Sequence, residues 1–98
     1  MPELATCTYD GQAGLVKQIT TEEIQLEFET EPKISVGRID TFTIQPQSSG
    51  NPDAFSLKGE VHWIRHKDSK TIVDISVMEL SLTGHIALKK LIQSYQKH

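Results

Sequence analysis

Ninety-eight residues, 37% of them hydrophobic and 23% charged, make one small domain that needs nearly all its apolar residues for a single core. Ten Lys and Arg against thirteen Asp and Glu leave a formal charge of −3, which excludes indiscriminate nucleic-acid binding through phosphate contacts. No apolar run approaches the ~20 residues that span a bilayer, and Met1-Pro2-Glu3-Leu4 lacks the basic start and apolar stretch of a secretion signal. The expectation is a cytoplasmic protein without a membrane partner.

The whole chain, 1–98, reads as one domain with an N-terminal arm over about 1–11, a barrel over about 12–78 and a helix over about 83–96. Cys7, the single cysteine, falls in the arm and cannot form an internal disulfide. An extended segment over residues 12 to 20 is followed by Ile24, Leu26 and Phe28 alternating with Gln and Glu, the pattern of a half-buried strand. Pro32 interrupts the ladder, and residues 38 to 45 resume an extended pattern with Phe42 and Ile44 on one face. Residues 46 to 53 contain no apolar side chain and are dense in turn formers, which marks an exposed loop.

The next stretch puts Phe55, Leu57, Val61 and Trp63 on one parity of a long strand, so Trp63 is expected in the core. Gly59 interrupts that row and predicts a bulge or a close backbone approach. Lys67-Asp68-Ser69-Lys70 is a polar hairpin turn into a β-branched strand with Val73, Ile75 and Val77 on one face, and the two strands should pair antiparallel. Leu88, Leu91, Ile92 and Tyr95 then fall at i, i+3, i+4 and i+7, with Ser81 or Thr83 available as N-cap. Strands followed by one terminal helix describe an all-β barrel covered by a C-terminal α-helix.

Chemistry is sparse. His62 and His66 would share a strand face but lie ~13 Å apart at about 3.3 Å per residue, too far to ligate one metal at ~2.1 Å. His85 and His98 belong to the helix region, so surface histidines and no metal site are expected. Cys7 has no neighbouring His or Lys to activate it, and no Ser stands in a Gly-x-Ser-x-Gly turn. Glu23, Glu27 and Glu29 line the polar edge of the strand that carries Ile24, Leu26 and Phe28, with Glu22 and Glu31 nearby, but alternation puts them on the wet face, where a solvated acidic surface is the default and general acid catalysis has no desolvated carboxyl. No catalytic residue and no cofactor follow from these residues.

The strand order and the segment Leu57-Lys58-Gly59-Glu60-Val61-His62-Trp63-Ile64 resemble the PilZ domain family, whose long fifth strand reads apolar-x-Gly-x-Val-x-Trp. The resemblance extends back through residues 14 to 26 and forward through the helix. It implies a six-stranded antiparallel barrel of Greek-key type. It also implies the family's ligand, cyclic di-GMP, held by an Arg-x-x-x-Arg motif before the barrel and an Asp-or-Asn-x-Ser-x-x-Gly motif within it. The only arginines, Arg38 and Arg65, are not in the N-terminal arm, and the second motif falls on Gln18, Thr20 and Glu23, keeping only a hydroxyl. Lys17 is the one cation nearby, and a lysine cannot replace a guanidinium fork. Losing two charged hydrogen bonds of about 1.5–3 kcal/mol each weakens binding by roughly two to four decades.

The leading reading is a non-enzymatic PilZ-like adaptor that has lost cyclic di-GMP and acts through a protein partner. Its acidic residues Glu22, Glu23, Glu27 and Glu29 are the candidate docking surface for a basic partner. One alternative is a cyclic di-GMP receptor with a non-standard site or with arginines supplied by a partner. The other is an unrelated small barrel that binds peptide or single-stranded nucleic acid, a poor match to the acidic charge.

Overall fold

A computed structural model describes residues 5–46 and 54–96, excepting the side chains of Ser94 and Gln96. His98 and the predicted loop from residue 47 to residue 53 lie outside the described residues. Six strands, β1 (Thr6–Tyr9), β2 (Gln12–Ile19), β3 (Glu23–Phe28), β4 (Ile39–Gln45), β5 (Phe55–Lys67) and β6 (Lys70–Glu79), precede one helix, α1 (Leu82–Gln96). They close into a barrel in the order β1-β2-β3-β6-β5-β4, with every neighbouring pair antiparallel. The adjacency of β3 to β6 and of β4 to β1 is the Greek-key crossover.

The barrel begins earlier than Gln12. What reads as an arm contains β1, which pairs with β2 on one side and β4 on the other and so closes the ring. The cause is local: Asp10 and Gly11 have φ of 50° and 77°, the backbone of a two-residue hairpin turn whose twist matches that of the strands it joins. Cys7 and Tyr9 point inward and are buried, and the Tyr9 ring stacks on Phe42 with centroids 4.9 Å apart. The predicted turn between β5 and β6 uses the same geometry, with Asp68 and Ser69 at φ of 52° and 65°.

The core is the inward parity of the strands: Val16, Ile24, Leu26, Phe28, Phe42, Ile44, Leu57, Val61, Val73 and Ile75 are all buried. Gly59 proves to be a close approach, since a Cβ there would sit 3.0 Å from Ile75 Cδ1, and the β5–β6 register slips beside it. Gly14 has the same role on β2, where a Cβ would lie 2.8 Å from the Phe28 ring.

Trp63 departs from its expected place. Val61 pairs with Ile75 and Trp63 with Asp74, so His62 is an extra residue on β5, a β-bulge. The bulge reverses the parity beyond it: Ile64, opposite Val73, takes the inward position, and Trp63 turns to the outer face. There the Arg65 guanidinium lies over the indole, 4.5 Å from its centroid.

The helix forms where its period predicts. Ser81 is the N-cap, its Oγ accepting the Gly84 N–H at 3.1 Å. Leu88 and Leu91 are buried against the barrel, and Ile92 and Tyr95 are partly so. The Tyr95 hydroxyl donates to the Val16 carbonyl and accepts from the Ala5 N–H at 3.0 Å, tying the last turn of α1 to β2 and to the entry of β1. Among the described residues no helix is long and apolar enough to cross a membrane.

Candidate functional site

The β2–β3 hairpin carries the positions that match the ligand motif: Gln18 is exposed on β2, while Lys17 and Thr20 have local partners. Lys17 is the extra residue of a second bulge, where Val16 pairs with Leu26 and Gln18 with Gln25, and its Nζ lies 3.4 Å from Glu27 Oε2. The Thr20 hydroxyl accepts the N–H groups of Glu22 at 3.2 Å and Glu23 at 2.9 Å, so the one group preserved in kind closes its own turn. Glu23, where the family has glycine, starts β3 opposite Ser76. Both arginines are engaged elsewhere. Arg65 covers Trp63, and Arg38 Nε lies 3.2 Å from Asp40 Oδ2. The Asp40 carboxyl is held below its ordinary value by the Tyr9 hydroxyl at 2.7 Å, by the Thr41 N–H and by Arg38. Burial and that same carboxylate push Tyr9 up to about 12.

The acidic residues do not form one uniform surface. Glu22 and Glu29 are exposed. Glu27, with a side chain only 13% exposed, lies between Lys70 Nζ at 3.0 Å and Lys17 Nζ at 3.4 Å. The Lys70 contact first, and then Lys17, lower its pKa. Glu31 faces His66, with Oε1 3.6 Å from Nε2.

A different group assembles on the outer face of β3, β5 and β6. Asp74 has outward parity, between Gln25 of β3 and Trp63 of β5, yet it is 1% exposed. Its Oδ2 lies 3.3 Å from Nδ1 of His62, the bulge residue, and its buried Oδ1 has no hydrogen-bond partner among the described residues. One donor atom each from Glu23, His62 and Asp74 lie within 4.8 Å of one another. The sequence expectation of no metal site rested on the spacing of His62 and His66. The bulge also removes them from a shared face, because His66 pairs with Thr71 in the inward row at the barrel rim, its Nδ1 3.3 Å from the Thr71 hydroxyl. A ligand set drawn from three strands leaves no signal in the spacing along one of them.

The remaining candidates offer little chemistry. Burial pushes the Cys7 thiol up to about 12, so it is no nucleophile near neutral pH. The groove between β5 and the start of α1, lined by Phe55, Ser56, Ser81, Gly84, Ile86 and Ala87 among others, has no titratable side chain among the described residues.

A closed six-stranded barrel with a C-terminal helix, in this order and register, is a PilZ-like fold. A solved protein that shows the likeness is the Bacillus subtilis inhibitor of motility (MotI/DgrA), with a TM-score of 0.73 at 12% sequence identity. The match covers 96% of this chain and 46% of that protein, so this chain spans about half its length. No protein-family model and no curated protein sequence matches the chain.

Proposed function

We propose that this chain is a non-enzymatic, PilZ-like regulatory domain that does not use the family's cyclic di-GMP site and acts by contacting another protein. The observation that carries the reading is the hairpin turn at residues 20 to 23: Thr20 is bonded to the turn's own backbone, and Glu23 places a carboxylate where the family leaves space for a purine. Lys17 adds no free cation, being paired with Glu27. The structural neighbour is described as an inhibitor of motility, which supports a regulatory class, and a cytoplasmic location fits that class. The exposed Glu22, Glu23 and Glu29 favour a partner that presents a basic surface to the hairpin, with Glu27 beside them already answered by Lys17 and Lys70.

Isothermal titration of the chain with cyclic di-GMP tests the reading. No saturable heat is expected at tens of micromolar, and a dissociation constant near or below about 1 µM would overturn it. That result would favour a second reading, a receptor whose arginines come from outside this chain, which is supported by the neighbour being more than twice as long as the matched segment. With a captured partner in hand, Glu22→Lys, Glu23→Lys and Glu27→Lys combined should weaken binding and reduce its salt dependence, because rim charges act mainly on association. Unchanged binding would remove the hairpin as the docking site.

A further inference from the structure

The Asp74 carboxylate is a charge set into the barrel wall and left half answered. It is 1% exposed, one oxygen meets only the edge of an imidazole at 3.3 Å, and the other has no donor among the described residues. No described lysine or arginine pairs with it or with Glu23, since Lys17 and Lys70 stand on Glu27, Arg38 on Asp40 and Lys58 on Glu79. A carboxylate withdrawn from water and left without a countercharge is among the costlier groups in a folded protein, and buried charges are as a rule paired or bound to a metal. The backbone around it has an uncommon form. The β5 bulge places His62 beside Asp74, and the hairpin turn brings Glu23 to the same point from β3.

We propose that Glu23, His62 and Asp74 form a binding site for a divalent transition-metal ion of the Zn²⁺ class. Donors at about 2.0–2.2 Å from a tetrahedral ion lie roughly 3.3 to 3.6 Å apart, so three donors already within 4.8 Å of one another close on an ion with side-chain shifts of at most about 1.5 Å. Two carboxylates and one imidazole balance a divalent charge. Nitrogen in the set separates it from Ca²⁺ and Mg²⁺, which take oxygen ligands, and the lack of thiolate separates it from Cu(I). Asp74 forms the buried floor, while Glu23 and His62 are exposed and leave the solvent side open to water or to a donor from a partner. The ion links the start of β3, the bulge of β5 and the middle of β6. This inference does not depend on the reading of the cyclic di-GMP site, and the two are tested by different ligands.

The test is a calorimetric titration of the full chain, stripped of metal with a chelator, against ZnCl₂, with thermal melts in parallel. One Zn²⁺ per chain should bind saturably and raise the melting temperature, as a ligand of the native state does. The exposed variants Glu23→Gln and His62→Ala, which leave the core untouched, should each weaken binding by about tenfold or more. His66→Ala and His85→Ala should bind as the parent does, and CaCl₂ and MgCl₂ should give no comparable binding. Absence of saturable Zn²⁺ binding overturns the proposal. So does undiminished binding in Glu23→Gln and His62→Ala, or loss of binding in His66→Ala, which would put the ion elsewhere.

Discussion

Glu27 and Asp74 stand two residues apart in register on the same outer wall of the barrel, and their carboxylates are handled in opposite ways. Glu27, opposite Ile72, is bracketed by two lysines from β2 and from the start of β6, and its acid form is disfavoured. Asp74, opposite Gln25, is more deeply buried and has one imidazole on one oxygen. Both rest on the same inward pair, Leu26 and Val73, so the difference does not come from the core beneath them. It comes from the partners each is given, Lys70 and then a bulge residue for Glu27 against a bulge residue alone for Asp74. The bulge in β2 supplies Lys17 to Glu27, and the bulge in β5 supplies His62 to Asp74. A carboxylate with a narrow opening to water is satisfied by flexible lysines, whereas a dry one held by a single ring edge is an unfinished electrostatic arrangement.

The strongest way to break the comparison is to remove its shared floor. Leu26→Ala should cost about 2–5 kcal/mol in urea denaturation, because the side chain is fully buried and the rigid strands around it leave a cavity. A cost below about 1 kcal/mol would mean that the two sites do not share a packed base. Next in size is Asp74→Val. In metal-free protein the change removes a buried, unpartnered oxygen and should stabilise the chain by about 1–2 kcal/mol, while abolishing any stabilisation by Zn²⁺. A net loss in metal-free buffer would show that Asp74 is fully satisfied by the protein itself.

Glu27→Gln should be milder, costing about 1 kcal/mol at neutral pH, since its lysine partners are half exposed and water screens them. Its signature is the acid limb. The folded carboxyl lies below its ordinary value of 4.5, so its contribution is complete above about pH 4.5 and is lost as pH falls through the lowered value. The variant should therefore lose less stability than the parent on acidification, and parallel acid limbs in denaturation midpoints would contradict the pairing. Arg65→Ala is the smallest change, about 0.5 kcal/mol. It reads out through the single tryptophan, whose emission and acrylamide quenching should change if Trp63 lies on the outer wall under Arg65, and should not if it lies in the core.

Much of the fold was legible along the chain, and the parts that were not share a cause. The helix could be read from Leu88, Leu91, Ile92 and Tyr95, and the β3 strand from Ile24, Leu26 and Phe28, because each element keeps one unbroken period. β1 has only four residues, too few to show a period, and its one clear marker was the Asp10-Gly11 pair, a hairpin dipeptide between Tyr9 and Gln12. Trp63 was misplaced because a bulge inserts a residue without marking the sequence, so parity counted from Phe55 fails after Val61. The Glu23, His62 and Asp74 group was invisible for a related reason. Its members are 39 and 12 positions apart in sequence, and only the β3–β6–β5 adjacency, together with that same bulge, brings them side by side.

The short β1 strand also decides how another molecule can dock. By pairing with β4 it removes the last open margin of the sheet, so every strand of the described barrel has a neighbour on both sides. Strand addition is thereby confined to stretches the ladders leave one-sided, such as residues 63 to 67 of β5, which pair with β6 but not with β4. Over the rest of the wall recognition falls to side chains, the rim loops and the helix, which makes a single substitution there a sharper tool for dissecting partnership than it would be on an open sheet.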